Sequence, residues 1–176
     1  MYIVKYGEEY LHDPRTDDIR LYDTKLEQNT NESDSFVFSM QPNHPLYKKM
    51  EAMQTVVEVE VYEDGELIFC GRIIDDIEKF YQDGTITCQG ELSYFNDTIV
   101  RPYRTGEGAV PDSGDGYAAF LITQHNEQVE MSKRFTVGFV DASLFGKGNK
   151  ITRSDSTYPS TGDVIKSKLL DSVGGY

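Results

Sequence analysis

Between residues 55 and 99 the chain alternates. Val57, Val59 and Val61 are interleaved with Glu58, Glu60 and Tyr62, the period-two pattern of a strand with one apolar face. Asp64-Gly65 interrupts the run and predicts a two-residue hairpin turn with positive φ at both central positions. The return strand is expected over 67–74, with Leu67, Phe69, Gly71 and Ile73 on one face. A second Asp-Gly, Asp83-Gly84, separates 78–82 from 85–92 and predicts another such turn, with Gly84 also at positive φ. The stretch therefore reads as a meander of four antiparallel strands that continues into 93–99.

The same patterns place elements on either side. Residues 2–6 (YIVKY) form a short strand, Tyr10 and Leu11 add another before the break at Asp13-Pro14, and 25–28 supply a third. In 35–40 (SFVFSM), Phe36 and Phe38 share a face opposite Val37. The period then changes. Asn43 is a helix cap and Pro45 a first-turn residue for a helix over 42–53, with Leu46, Met50 and Met53 on one stripe. That stripe plugs the end of the sheet or, alternatively, lines a methionine-rich partner groove.

Residues 105–116 (TGEGAVPDSGDG) are rich in Gly, Pro and Asp and read as a linker. Beyond it, Asp112 or Ser113 caps a helix over 117–129, with Tyr117, Phe120, Leu121 and Gln124 on one face. Residues 134–140 (RFTVGFV) read as a strand and 141–160 as a polar loop. Ser160-Thr161-Gly162-Asp163 resembles a capping box. It opens a helix through Val173, with Ile165, Leu169 and Val173 on one side and Gly174-Gly175 as its stop. The expected fold is α+β and mainly β. A barrel-like antiparallel β domain with a short helix (1–104) is followed by a linker (105–116) and a smaller α+β module (117–176). The module reads as incomplete, the N-terminal piece of a longer protein.

Composition narrows the function. The formal charge is −13, with acidic residues spread along the chain. Binding nucleic acid through phosphate neutralisation needs clustered Lys and Arg, and docking on anionic lipid needs the same, so the expectation is no specific nucleic-acid binding. No run is long and apolar enough to be a membrane anchor. The N-terminus lacks the basic and apolar regions of a signal peptide, which points to synthesis in the cytoplasm and leaves the sequons at Asn31 and Asn96 unglycosylated. Twelve Tyr and nine Phe with no Trp suit aromatic cross-strand pairs. Cys70 and Cys88 fall inside predicted strands and are expected to be free thiols.

Candidate chemistry is sparse. His12, His44 and His125 lie in three different elements without metal-ligand spacing, and each is read as a surface or capping residue. Asp17-Asp18 and Asp75-Asp76 are adjacent pairs that a strand would turn to opposite faces. DSGDG at 112–116 lacks the spacing and closing glutamate of a calcium loop. GEGAVP at 106–111 and GKGNK at 146–150 lack the glycine spacing of phosphate loops. Cys70 sits mid-strand among apolar residues, a poor setting for a nucleophilic thiolate. No catalytic, cofactor-binding or metal-ligating residue is expected.

Six segments in order carry a resemblance: LHDPRTDDIRLYDTKLE (11–27), SFVFSMQPNHPLYKKM (35–50), VEVYEDGELIFCGRI (59–73), TCQGELSYFNDTIVRPY (87–103), QHNEQV (124–129) and DVIKSKLLDSVGGY (163–176). The chain resembles the N-terminal region of the phage minor structural proteins, also called prophage endopeptidase tail or tail-associated lysin proteins. Residues 144–160 fit that family least. The resemblance implies a fold similar to phage tail hub proteins and a place at the virion tail tip, closing the tail tube as a baseplate hub. It further implies a homotrimer in the full-length protein, contacts with the distal tail protein and the tape-measure protein, and no enzyme in this segment. A peptidoglycan hydrolase or host-contact module belongs further along such proteins. Two other readings stay open: part of a tail-associated peptidoglycan hydrolase, or a cell-wall carbohydrate-binding module suggested by the tyrosine content. Glu58 and Glu60 are read as a solvated strand face or, in a hub, as part of an acidic lumen or partner surface.

Overall fold

The structure is a computed structural model that describes residues 1–47, 49–50, 57–78 (backbone alone for 76–78), 84–141, 145 and 150–171. The chain divides into two compact units. The first comprises Met1–Asn29 and Ser33–Leu92, the second Thr30–Glu32 and Ser93–Tyr176.

The first unit is mainly β. Its strands are β1 (Tyr2–Tyr6), β2 (Glu9–His12), β3 (Tyr22–Glu27), β4 (Ser35–Met40), β5 (Val59–Glu63), β6 (Glu66–Glu78) and β7 (Gly84–Gly90). They form one sheet in the order β2-β1-β5-β6-β7-β4-β3, antiparallel at every pair. The alternation expected at Val59 and Val61 holds, and both are buried. Phe36, Phe38 and Met40 likewise turn inward from β4. Asp64 and Gly65 have φ of 51° and 90°, the two positive values that a tight hairpin between β5 and β6 requires.

The sheet curls into a half-barrel. The ring of Phe36 on β4 lies 5.8 Å from that of Phe69 on β6, although β7 separates those strands. The Gln28 side chain, just past β3, donates to the Ile68 carbonyl of β6 at 2.9 Å. Inside lies one core to which β1, β2, β4, β5, β6 and β7 all contribute buried side chains. A fully buried Val, Leu or Phe contributes about 1.5–3 kcal/mol. Gly71 pairs with Gly90 across β6 and β7. A Cβ on Gly71 would stand 2.2 Å from the Gln89 carbonyl oxygen, so only glycine permits this close approach.

Several expectations are corrected here. β6 is a single strand through Glu78, so the expected break after 74 does not exist; among the described residues the meander has three strands, and 79–82 of the expected strand 78–82 lie outside them. The Leu67–Ile73 face is also broken. A bulge in the β5–β6 ladder sets Phe69 opposite Val61 and Leu67 opposite Tyr62, so Ile68 is the extra residue. Leu67 is consequently 48% exposed while Phe69 and Ile73 are buried. Gly84 opens β7 and is not at positive φ; Asp83 lies outside the described residues. Residues 91–97 form a 3-10 helix, not a strand, with the consecutive residues Ser93, Tyr94 and Phe95 buried. No strand can bury three residues in a row on one face.

The helix expected over 42–53 is replaced, over its described residues, by successive turns that link His44 N–H to Gln41, Tyr47 N–H to His44 and Lys49 N–H to Leu46. His44 explains the difference. Its Nδ1 accepts from the Leu46 N–H at 3.1 Å, the group an Asn43 cap would have served, and its Nε2 reaches the Leu11 carbonyl at 2.9 Å. Leu46 and Met50 still enter the core; Met53 lies outside the described residues.

The second unit is built around helix α1 (Gly114–Asn126), capped by Ser113, whose Oγ accepts from the Gly116 N–H. Strands β8 (Tyr103–Arg104) and β9 (Ser154–Asp155) pair antiparallel. The Ser160 hydroxyl caps α2 (Thr161–Val164) at the Asp163 N–H, as the capping box predicts. That helix continues as a π-helical stretch, Ile165–Leu170. Tyr117, Leu121, Val100, Tyr103, Ile151 and Val164 form a separate core.

Residues 105–116 are not a linker. Thr105 is buried, its N–H donates to the Arg153 carbonyl at 2.9 Å and its hydroxyl donates to the Ile151 carbonyl at 3.2 Å. The glycines serve tight turns instead, with φ of 77° at Gly106 and 60° at Gly108. The expected division at residue 104 thus differs from the observed one, because Val100 and Tyr103 pack in the second unit's core. Residues 134–140 form no strand.

Candidate functional site

Among the described residues the half-barrel does not close, which leaves an open seam in the first unit. β2 and β3 are the outer strands of the sheet. Between the β3 side and the β1–β5 side lies a cleft of about 480 Å³. Its lining is mixed: Val4, Leu21, Leu26, Phe36, Val61 and Ile68 supply the apolar part, and Tyr2, His12, Thr24, Gln28 and Glu63 an equal polar part. A concave opening that offers both apolar walls and hydrogen-bonding groups is a candidate binding surface.

The strand edges beside the cleft are blunted. β2 has four residues and a bulge opposite Val4/Lys5. β3 has a register shift between Tyr22 and Lys25, with Asp23 at φ 49°. Bulges bend an edge and interrupt the row of groups that another strand would read. On β3 this leaves Lys25, Leu26 and Glu27 as the regular part. The turn between β2 and β3 is braced by Asp13, whose carboxylate takes the Arg15 guanidinium at 2.8 and 2.6 Å. The hydrogen bonds from Arg15 hold that carboxyl down at about 2.

The outer face of β5 is acidic. Cys70 Sγ–H donates to Glu58 Oε2 at 3.2 Å, and the Tyr62 hydroxyl donates to Glu60 Oε2 at 2.7 Å. Ligand atoms of Glu58, Cys70 and Glu91 lie within 4.8 Å of one another. The chemistry there is that of a protonated thiol. Burial, then the hydrogen bond to Glu58, pushes the Cys70 thiol well up, and burial with the Glu58 charge raises Glu91. Cys70 is thus beside carboxylates, not among apolar residues as expected, and remains unsuited to act as a nucleophile. Glu58 and Glu60 are half-buried partners of these groups.

The histidines meet the expectation of surface or capping residues only in part, His44 through its bond from the Leu46 N–H. His44 and His125 are buried, at 5% and 0% exposure, so neither is a surface residue. In the second unit, His125 Nδ1 lies 2.8 Å from the Thr98 hydroxyl and Nε2 lies 2.8 Å from the Lys133 carbonyl. Thr98 in turn bonds Thr161. Phe95 stacks on Phe135 at 4.3 Å and meets the His125 ring edge-on at 4.7 Å. This network fixes the base of the segment 134–140, of which Val137 and Phe139 are 41% and 86% exposed. Sequence reasoning read that segment as an ordinary strand. Among the described residues, no helix is long and apolar enough to cross a membrane.

No family model matches the chain, and no curated protein matches it. Among solved structures, it is similar to the 43 kDa tail protein of prophage MuSo2 from Shewanella oneidensis, with a TM-score of 0.59 and 11% identity. The likeness covers 97% of this chain and 47% of that protein, so this chain spans about half its length. At that identity the likeness is one of fold alone.

Proposed function

We propose that this chain is a structural component of a phage or prophage tail. Within the tail we place it at the tip, as the baseplate hub segment that closes the tube and connects it to the distal tail protein and to C-terminal host-contact or wall-degrading modules. The observation that carries the reading is the fold likeness to a prophage tail protein over 97% of the chain. The six ordered segments that resemble phage minor structural proteins support the finer placement. On this reading the full-length protein is a homotrimer that contacts the distal tail and tape-measure proteins, and this segment is not enzymatic.

The test is co-expression of the full-length protein with the distal tail and tape-measure proteins of its own phage, followed by affinity purification and imaging. A tail-tip complex with three copies of this protein is expected. A protein that stays unassembled while the other two combine would remove the hub placement. Zymography of residues 1–176 on purified cell walls tests the non-enzymatic reading, and clearing of the wall would overturn it.

A further inference from the structure

The two buried histidines differ in what they can do with a second proton. In the first unit, His44 Nε2 lies 2.9 Å from the Leu11 carbonyl of β2, and Nδ1 accepts the Leu46 N–H at 3.1 Å. Both partners are backbone groups with fixed roles. A carbonyl only accepts, so Nε2 carries the ring hydrogen; an N–H only donates, so Nδ1 stays bare. A second proton can go only on Nδ1, where it faces the Leu46 N–H, donor against donor. In the second unit, His125 Nε2 likewise meets a carbonyl, that of Lys133, but Nδ1 meets a hydroxyl, that of Thr98, at 2.8 Å. A hydroxyl can turn. Once Nδ1 is protonated, Thr98 accepts from it and gives its own hydrogen to Thr161 Oγ1, also 2.8 Å away.

We propose that His44 is an acid-sensitive latch: protonation at Nδ1 frees the turns of residues 41–47 from β2 in a local opening, while the His125 network takes up a proton and keeps its bonds. Those turns carry Leu46, 3% exposed, into the core, so the opening uncovers that side chain and the core beside it. Burial lowers His44 below the ordinary imidazole value, against the bond to the Leu11 carbonyl, which raises it. The elements packed on the ring carry other titratable groups: Glu9, Tyr10 and His12 on β2, Asp13 just past it, and Tyr47 and Lys49 in the turns. None of them is a cause of the lowering at His44, and Asp13 is taken up by Arg15. At His125 the charges of Asp97 and Lys133 act with opposite signs. His12 Nδ1 also accepts a backbone N–H, that of Leu21 at 3.3 Å, but its ring is only half-buried and can take a proton from solvent by turning. The latch is therefore assigned to His44. This inference does not rest on the tail reading.

Amide hydrogen exchange on the full chain at about pH 7.5 and about pH 5.5, corrected for the intrinsic pH dependence of exchange, tests it. Protection at Leu46 is expected to fall about tenfold, because a solvated imidazole one pH unit below its usual value is protonated about tenfold over its neutral form. Thr161, whose N–H donates to the Thr98 carbonyl at 2.9 Å beside the His125 network, should change much less, as should the amides of β5. The Leu21 amide reports separately on His12. In His44→Gln the side chain offers a donor and an acceptor but does not titrate, so the loss at Leu46 should vanish. Protection at Leu46 that is unchanged, that falls equally in His44→Gln, or that falls in step with β5 would overturn the proposal. Should His44→Gln not fold, 15N spectra of the imidazole rings in the unaltered protein take its place. A bare Nδ1 on His44 at about pH 7.5 is expected, protonated over the same range in which Leu46 opens. A hydrogen on that Nδ1 at the higher pH, or protonation with Leu46 still protected, overturns the proposal. Either failure leaves the tail reading to its own co-purification test.

Discussion

Asn126 holds Phe135 as a neighbouring strand would. Its Nδ2 donates to the Phe135 carbonyl at 2.7 Å, and its Oδ1 accepts the Phe135 N–H at 3.0 Å. One amide side chain thus satisfies both backbone groups of the residue that precedes the exposed run 136–139. Each such bond contributes about 0.5–1.5 kcal/mol net. Asn126→Ala is therefore expected to cost about 1–3 kcal/mol and to speed amide hydrogen exchange at Phe135. Asn126→Asp keeps the acceptor and loses the donor, so its effect should fall between Ala and the unaltered protein. Equal exchange rates in all three proteins would show that the clamp does not form.

The two Asp-Gly sites provide an internal contrast. Gly65 has φ +90°, where an L-residue costs about 1–2 kcal/mol, and a β-branched residue fits worst. Gly65→Val should lower the melting temperature by a few degrees, at about 2–4 °C per kcal/mol for a chain of this size. Gly84 is not at positive φ, and its nearest neighbour, Tyr47 Cε2, would lie 3.6 Å from an added Cβ. Gly84→Ala should be close to neutral. A larger loss at Gly84 than at Gly65 would contradict the turn assignment.

Acid should weaken the fold before its carboxylates titrate. Burial holds His44, His125 and His12 below the usual imidazole value of 6.5, with Arg20 adding to the effect at His12. A depressed imidazole binds fewer protons folded than unfolded, so stability rises with pH and is lost as pH falls below that value. Glu91, raised by burial and by Glu58, acts with the opposite sign above 4.5. The melting temperature is expected to fall between about pH 7.5 and about pH 5.5, the window in which histidine changes charge. His44→Gln with His125→Gln should flatten that slope even while lowering stability. An unchanged slope in the double variant would assign the effect elsewhere.

Both cysteines should prove free and slow to react. Cys88 is fully buried, with its thiol pushed up by burial to about 12. Cys70 lies on the opposite face of the sheet, hydrogen-bonded to Glu58. Side chains on opposite faces cannot form a disulfide. Titration of unreduced protein should release both thiols on denaturation and label them only slowly in the native state. Absence of free thiols after denaturation would contradict the β6–β7 register.

The signals legible in the chain alone are local. The valine alternation marks β5, Phe36 and Phe38 mark β4, Asp64-Gly65 marks its turn, and Ser113 and Ser160 mark two helix starts. In each case the cause lies within a few residues: a period, a glycine able to take positive φ, or a hydroxyl near unsatisfied N–H groups. The tertiary structure decided what those elements meet. β5 pairs with β1, and β4 with β7, across long stretches of chain that local pattern does not encode. A bulge at Ile68 shifted the apolar face of β6. A buried imidazole, His44, took the N–H that a helix cap would have used. The strand-like run RFTVGFV found a side chain, Asn126, and no strand among the described residues. A strand needs a neighbour to satisfy its backbone, and whether one arrives depends on how the rest of the chain folds. The open seam has the same origin: each strand around it can be recognised alone, but its failure to close follows from the curl and order of the whole sheet.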